Sequence, residues 1–125
     1  MTPARLRILI VDDHPGIVKA ITRLLTIEFD VVGNISDGDE LLDAVQRLEP
    51  DVIVLDMNLP KVGGLNACRQ VMQARPGIKV IIFTADDDPG RRLRAFEAGA
   101  TAFVNKLSSD GELVSTLKRL HGEHD

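Results

Sequence analysis

The chain has 125 residues, with 15 Lys+Arg against 19 Asp+Glu and a formal net charge of -4. That length suits one compact domain and is short for two, and 44% hydrophobic residues supply enough apolar side chain for a core, which excludes a disordered chain. The acidic balance is the wrong sign for general attraction to phosphate backbones, so direct nucleic-acid contact by this domain is not expected.

Short β-branched apolar runs alternate five times with longer stretches of helical period, the pattern of a parallel α/β sheet. The first predicted strand, Arg7 to Val11, ends in Asp12-Asp13-His14, and a helix beginning near Pro15 keeps a stripe of Ile17, Ile21, Leu24 and Leu25. The second strand, Val31 to Ile35, runs into the turn residues Ser36-Asp37-Gly38, and Leu41, Leu42, Val45 and Leu48 mark the next helix. Val52 to Leu55 form the third strand, ending in Asp56, and Leu65, Cys68, Val71 and Met72 stripe the third helix. The fourth strand, Val80 to Phe83, ends in Thr84. The helix after it, from about Gly90 to Ala98, is expected to bury Leu93, Phe96 and Ala98 and to leave Arg91, Arg92 and Arg94 solvated, which makes it the most weakly held. Ala102 to Val104 form the fifth strand, followed by Asn105-Lys106 and a last helix striped by Leu113, Leu117 and Leu120. Residues 1–125 are read as one domain, with 121–125 a tail or the start of a linker.

The strands lack period-2 alternation, as strands covered by helices on both faces must. Ile8-Leu9-Ile10-Val11, the longest early apolar run, is too short for a signal or membrane segment. The single cysteine, Cys68, cannot form an internal disulfide, and no Cys/His group has zinc-site spacing. A soluble cytoplasmic domain with no membrane partner is the expectation.

Ligands of open parallel sheets bind outside the carboxyl ends of the strands. If the first, third, fourth and fifth strands are neighbours, Asp12, Asp13, Asp56, Thr84 and Lys106 converge on one crevice. Taken alone, each has an ordinary reading: Asp12 or Asp13 as a helix cap, Thr84 as a strand-end hydroxyl, Lys106 as a solvated lysine, His14 as a loop residue. Together they describe a site. Crowded carboxylates are relieved by a cation, and Mg²⁺ with Lys106 can supply it while leaving room for a phosphoryl oxygen. A carboxylate is already ionised at pH 7 and attacks phosphorus without a general base, and Asp56, ending the most apolar run, is best positioned to do so.

The motifs Ile8-Leu9-Ile10-Val11-Asp12-Asp13-His14, Val54-Leu55-Asp56-Met57-Asn58-Leu59-Pro60 with Gly64, Phe83-Thr84-Ala85, and Gly99-Ala100 leading to Phe103 and Lys106 occur in order across essentially the whole chain. In them the sequence resembles a receiver domain of two-component response regulators. The resemblance implies a flavodoxin-like (βα)5 three-layer sandwich with strand order 2-1-3-4-5 and a switch rather than a turnover enzyme. By it Asp56 is the phosphoacceptor, taking phosphate from a sensor histidine kinase. Asp12, Asp13, Asp56 and the carbonyl of Asn58 serve Mg²⁺, Thr84, Ala85 and Lys106 bind the phosphoryl group, and Thr84 and Phe103 form the switch. Asn58 and Asp86 flank the site where the family tunes dephosphorylation, and two polar residues there imply a short-lived phosphoryl group.

Two departures stand out: Leu107 follows Lys106 where many receivers have proline, and Phe103 lacks the hydroxyl of the tyrosine often found there. The Asp-Asp-His-Pro opening and the Asn105-Lys106-Leu107-Ser108-Ser109 stretch resemble receivers that precede a LuxR-type helix-turn-helix output domain. Truncation ahead of such a DNA-binding domain is therefore the expectation, with a stand-alone regulator as the alternative. A homodimer through the last helix or the arginine-bearing fourth helix is compatible with the pattern. An aspartyl-nucleophile phosphatase of the haloacid-dehalogenase type is disfavoured because it needs an acid where Asn58 stands. A flavodoxin is disfavoured because the chain has no Trp or Tyr to stack a flavin.

Overall fold

The protein was analysed as a computed structural model that describes residues 5–60, 62–85, 88–108 and 110–124. Five strands alternate with five helices: β1 (Arg7–Val11), α1 (Pro15–Leu25), β2 (Asp30–Ile35), α2 (Leu41–Leu48), β3 (Val52–Leu55), α3 (Gly64–Ala74), β4 (Lys79–Thr84), α4 (Pro89–Glu97), β5 (Ala102–Asn105) and α5 (Asp110–His124). Every strand pairing is parallel, in the order β2-β1-β3-β4-β5. The alternation of apolar runs predicts the parallel α/β sheet, and the strand order is the one implied by the family resemblance. α5 continues through residues 121–124, which the sequence pattern set apart as a tail.

The sheet divides the apolar interior in two, as strands buried on both faces must. One side packs Leu9, Ile53, Leu55 and Phe103 against α2, α3 and α4; the other packs Ile8, Ile10, Val54 and Val104 against α1 and α5. The central residues Ile8, Leu9, Ile10, Ile53 and Leu55 are fully buried.

Local chemistry fixes the element ends. Pro15 and Pro89 open α1 and α4, where a missing N–H costs nothing. Asp88 caps α4 by accepting the Arg91 N–H at 2.9 Å, and Asp37 caps the single 3-10 turn at Gly38–Glu40 by accepting from Asp39 at 3.0 Å. α3 begins at Gly64, packed so tightly under the β3 exit that a Cβ there would collide with the Asp56 carbonyl oxygen and sit 2.5 Å from Met57 Cα. The Gly64 N–H donates to the Met57 carbonyl at 3.0 Å, clamping the loop.

α4 differs from its expected orientation. Leu93 is 60% and Phe96 45% exposed, while Ala95 is fully buried and Ala98 nearly so. Ala98 is buried as expected, but of the larger apolar side chains neither Leu93 nor Phe96 takes the inward face, which carries Ala95 and Ala98 in the same core cluster as Phe103. Nor are the arginines merely solvated. Arg91 pairs with Asp88 at 3.3 Å and reaches the Met57 sulfur at 3.6 Å, and Arg92 lies over the Phe103 ring. The Lys106–Leu107 peptide is trans, like every other peptide among the described residues.

Candidate functional site

The register of the central strands brings the acids together. Val11 pairs with Leu55, so Asp12 and Asp56 leave adjacent strands side by side at the carboxyl edge. Their backbones are held by the sheet: the Asp12 N–H donates to the Ile35 carbonyl at 3.0 Å and the Asp56 N–H to the Val11 carbonyl at 2.9 Å. Both side chains are buried, at 4% and 2% exposure for the whole residues. Thr84 pairs with Asn105 across β4 and β5, and its carbonyl accepts the Lys106 N–H at 2.8 Å. This hydrogen bond fixes where the lysine leaves the sheet.

Lys106 crosses the crevice. Its Nζ lies 2.7 Å from Asp12 Oδ2 and 3.5 Å from Asp56 Oδ2, with its side chain only 9% exposed. Asp12 is saturated, since Oδ1 also accepts the His14 N–H at 2.9 Å and meets His14 Nδ1 at 2.8 Å. Asp56 is not. Its Oδ1 accepts the Asn58 N–H at 3.1 Å, but Oδ2 is a buried oxygen without a hydrogen bond. Buried polar atoms are nearly always hydrogen-bonded, and this one has only the longer contacts of Lys106 Nζ at 3.5 Å and His14 Nδ1 at 3.7 Å.

One ligand atom each from Asp12, Asp13, His14 and Asp56 lies within 4.8 Å of the others. Three are hard carboxylate oxygens, the donors that suit an oxygen-seeking divalent cation, and Asp56, whose Oδ2 has no hydrogen bond, is among these acids. The residues fit such an ion.

His14, expected as a loop residue, also lies against these acids. It is the N-cap of α1, and Nδ1 approaches Asp13 at 3.2 Å and Asp56 at 3.7 Å besides Asp12. The Asp12 hydrogen bond, then the Asp12 charge, raise the imidazole pKa above its ordinary value of 6.5, with Asp13 adding to the effect and desolvation and Lys106 opposing it. Its place directly between two acids and the helix-opening Pro15 was the available signal. Asp12 and Asp13 do not cap the helix: α1 has no side-chain cap hydrogen bond.

Of the remaining expected residues, Thr84 is fully buried at the end of β4, Ala85 follows it exposed, and Asn58 is exposed beside Asp56. Phe103 lies one layer below, 6% exposed in the core. Asp86 falls outside the described residues.

The family model described as "Response regulator receiver domain" matches residues 8–118. The transcriptional regulatory protein DegU of Brevibacillus brevis is 32% identical over 91% of this chain and 49% of its own length. The DNA-binding response regulator MtrA of Mycolicibacterium smegmatis is 36% identical over 100% of this chain and 55% of its own. The chain thus spans about half the length of these curated relatives. Among solved structures, a LuxR-family two-component response regulator from Aurantimonas sp. SI85-9A1 superposes with a TM-score of 0.88 at 34% identity, covering 94% of this chain and 85% of that one.

Proposed function

The chain belongs to the response regulator receiver domain family, and from that premise we propose that Asp56 is its phosphoacceptor, with Oδ2 the attacking atom. The observation that carries this reading is the state of that oxygen: buried, without a hydrogen bond, and 3.5 Å from an ammonium group. An ionised carboxylate needs no base to attack phosphorus. What it needs is positive charge against the incoming group. Lys106 is the protein's own contribution, and transfer of its Nζ from Asp12 toward a phosphoryl oxygen gives a charge-assisted hydrogen bond.

Asp12, Asp13 and Asp56 would hold Mg²⁺, with the Asn58 carbonyl completing the protein ligands. Bound there, the ion supplies charge neutralisation for the transferring group. The Asn58 N–H orients the Asp56 carboxylate through Oδ1, which leaves Oδ2 for the chemistry. The Thr84 hydroxyl and the backbone at Ala85 are the donors assigned to the phosphoryl oxygens. As Thr84 shifts toward phosphate, the space it leaves accepts the Phe103 ring more deeply, and the surface of α4, β5 and α5 changes as a two-state element. Asn58 and Asp86 are assigned to the rate of phosphate loss.

The donor in this reading is a sensor histidine kinase, and the setting is the cytoplasm. No helix among the described residues is long and apolar enough to cross a membrane. In the whole protein the receiver would govern a DNA-binding output domain, a reading supported by relatives about twice as long whose names describe transcriptional or DNA-binding regulators. The sequence of the native gene product past Asp125 tests that point.

Incubation with Mg²⁺ and acetyl phosphate tests the site. The protein is expected to gain one acid-stable, base-labile phosphate, chelation of the ion to stop the gain, and Asp56→Asn to abolish it. Stoichiometric labelling of that variant would reject Asp56 as the acceptor.

A further inference from the structure

Arg92 on α4 stands opposite Phe103 on β5. Its guanidinium carbon is 4.8 Å from the ring centroid, within the range over which a cation is drawn to an aromatic face. The ring points into the α2, α3 and α4 side of the sheet and is 6% exposed. The helix that covers it contributes small side chains, Ala95 and Ala98, while Leu93 and Phe96 face solvent. The two alanines leave room for the ring, and Arg92 closes over it. A phenyl ring has no hydroxyl with which to fix its orientation, so packing and attraction to its face must do so. Arginine suits that task better than lysine, since its planar, weakly hydrated cation stacks on rings.

We propose that Arg92 is a positioning residue that holds the Phe103 ring in its observed buried position in the unphosphorylated protein, so that an exposed ring is disfavoured before phosphate arrives. This rests on the reading of Phe103 as the switch aromatic. Charge on α4 then does what a phenol hydrogen bond does for a tyrosine: it fixes one position of the ring. A second consequence is that Arg92 adds a cationic tie between α4 and β5 to the apolar burial of Ala95 and Ala98.

Fluorine NMR of the full chain carrying 4-fluorophenylalanine tests the proposal. The chain has 4 Phe, and Phe103→Leu identifies the Phe103 signal. With Mg²⁺ alone, the wild-type chain is expected to give a Phe103 resonance at the position of a buried ring, and acetyl phosphate to shift it. Arg92→Met is expected to move the unphosphorylated resonance away from the buried position, with the ratio of buried to exposed ring falling about threefold, and Arg92→Lys to fall between. A Phe103 resonance that Arg92→Met leaves in place would overturn the proposal. Intact mass of the same samples keeps the two readings apart. A wild-type chain that takes up no phosphate contradicts the assignment of Asp56, whereas normal uptake with an unmoved ring signal contradicts the role of Arg92 alone.

Discussion

Asp12 and Asp56 leave neighbouring strands with equal burial and opposite fates. Both oxygens of Asp12 are engaged by Lys106 and His14, whereas Asp56 Oδ2 has only the longer ion-pair contacts of Lys106 and His14 and no hydrogen bond. The difference arises from a single lysine that sits 2.7 Å from one acid and 3.5 Å from the other. Asp13 adds a third negative charge at 36% side-chain exposure, and its repulsion opposes folding unless a cation is present. Asp13→Asn is therefore expected to raise the urea midpoint in EDTA and to weaken Mg²⁺ binding. Free Mg²⁺ at about ten times its Kd should stabilise the wild type by about 1.4 kcal/mol, and most of that increment should vanish in the variant. Equal Mg²⁺ responses in the two proteins would remove Asp13 from the ion site. The acids and Lys106 were legible in the sequence because each directly follows an apolar run, and parallel pairing brings such positions to one edge. For His14 the sequence carried only its place between two acids and Pro15, because its approach to three carboxylates depends on where α1 starts and how its N-cap turns.

At the scale of elements, the β3–α3 connection sets the direction of the Asp56 side chain. Gly64 allows α3 to begin against the backbone of Asp56 and Met57, where a methyl group has no space. Gly64→Ala must push the loop or the helix aside and is expected to cost about 1–3 kcal/mol, read as a lower urea midpoint, together with slower phosphate uptake from acetyl phosphate. Unchanged stability and uptake would mean that the loop relaxes freely. The element boundaries were legible from strand runs, prolines and capping residues. The face of α4 was not, since a hydrophobicity stripe ranks residues by size and polarity, whereas the helix turns the small residues Ala95 and Ala98 inward. The trans Lys106–Leu107 bond agrees with the cost of a cis bond before a non-proline residue, about 2.5–4 kcal/mol.

For the molecule as a whole, the core carries one ionisable thiol. Burial pushes the Cys68 pKa from 9.0 up to about 11, with Arg69 opposing the shift, and the thiol lies 3.5 Å from the Ala98 carbonyl. The folded protein thus retains a proton that the unfolded chain loses first. Below pH 9 this group adds no pH dependence, and between about pH 9 and 11 it makes stability fall as pH rises. Urea midpoints of the wild type should decline more steeply across that window than those of Cys68→Ala, and a disulfide reagent at pH 8 should react with the thiol only after denaturation. Parallel slopes, or rapid labelling of the native protein, would contradict the burial argument.

The sheet is also a partition. Phe103 and Val104 are consecutive, yet pleating sends the first to the α2, α3 and α4 layer and the second to the α1 and α5 layer. On the proposed reading of Phe103 as the switch aromatic, motion of its ring would act first on the α2, α3 and α4 half of the interior. A partner that rests on α4, β5 and α5, the face assigned to the switch, would register such a motion, while one that grips the far side of α1 would be blind to it.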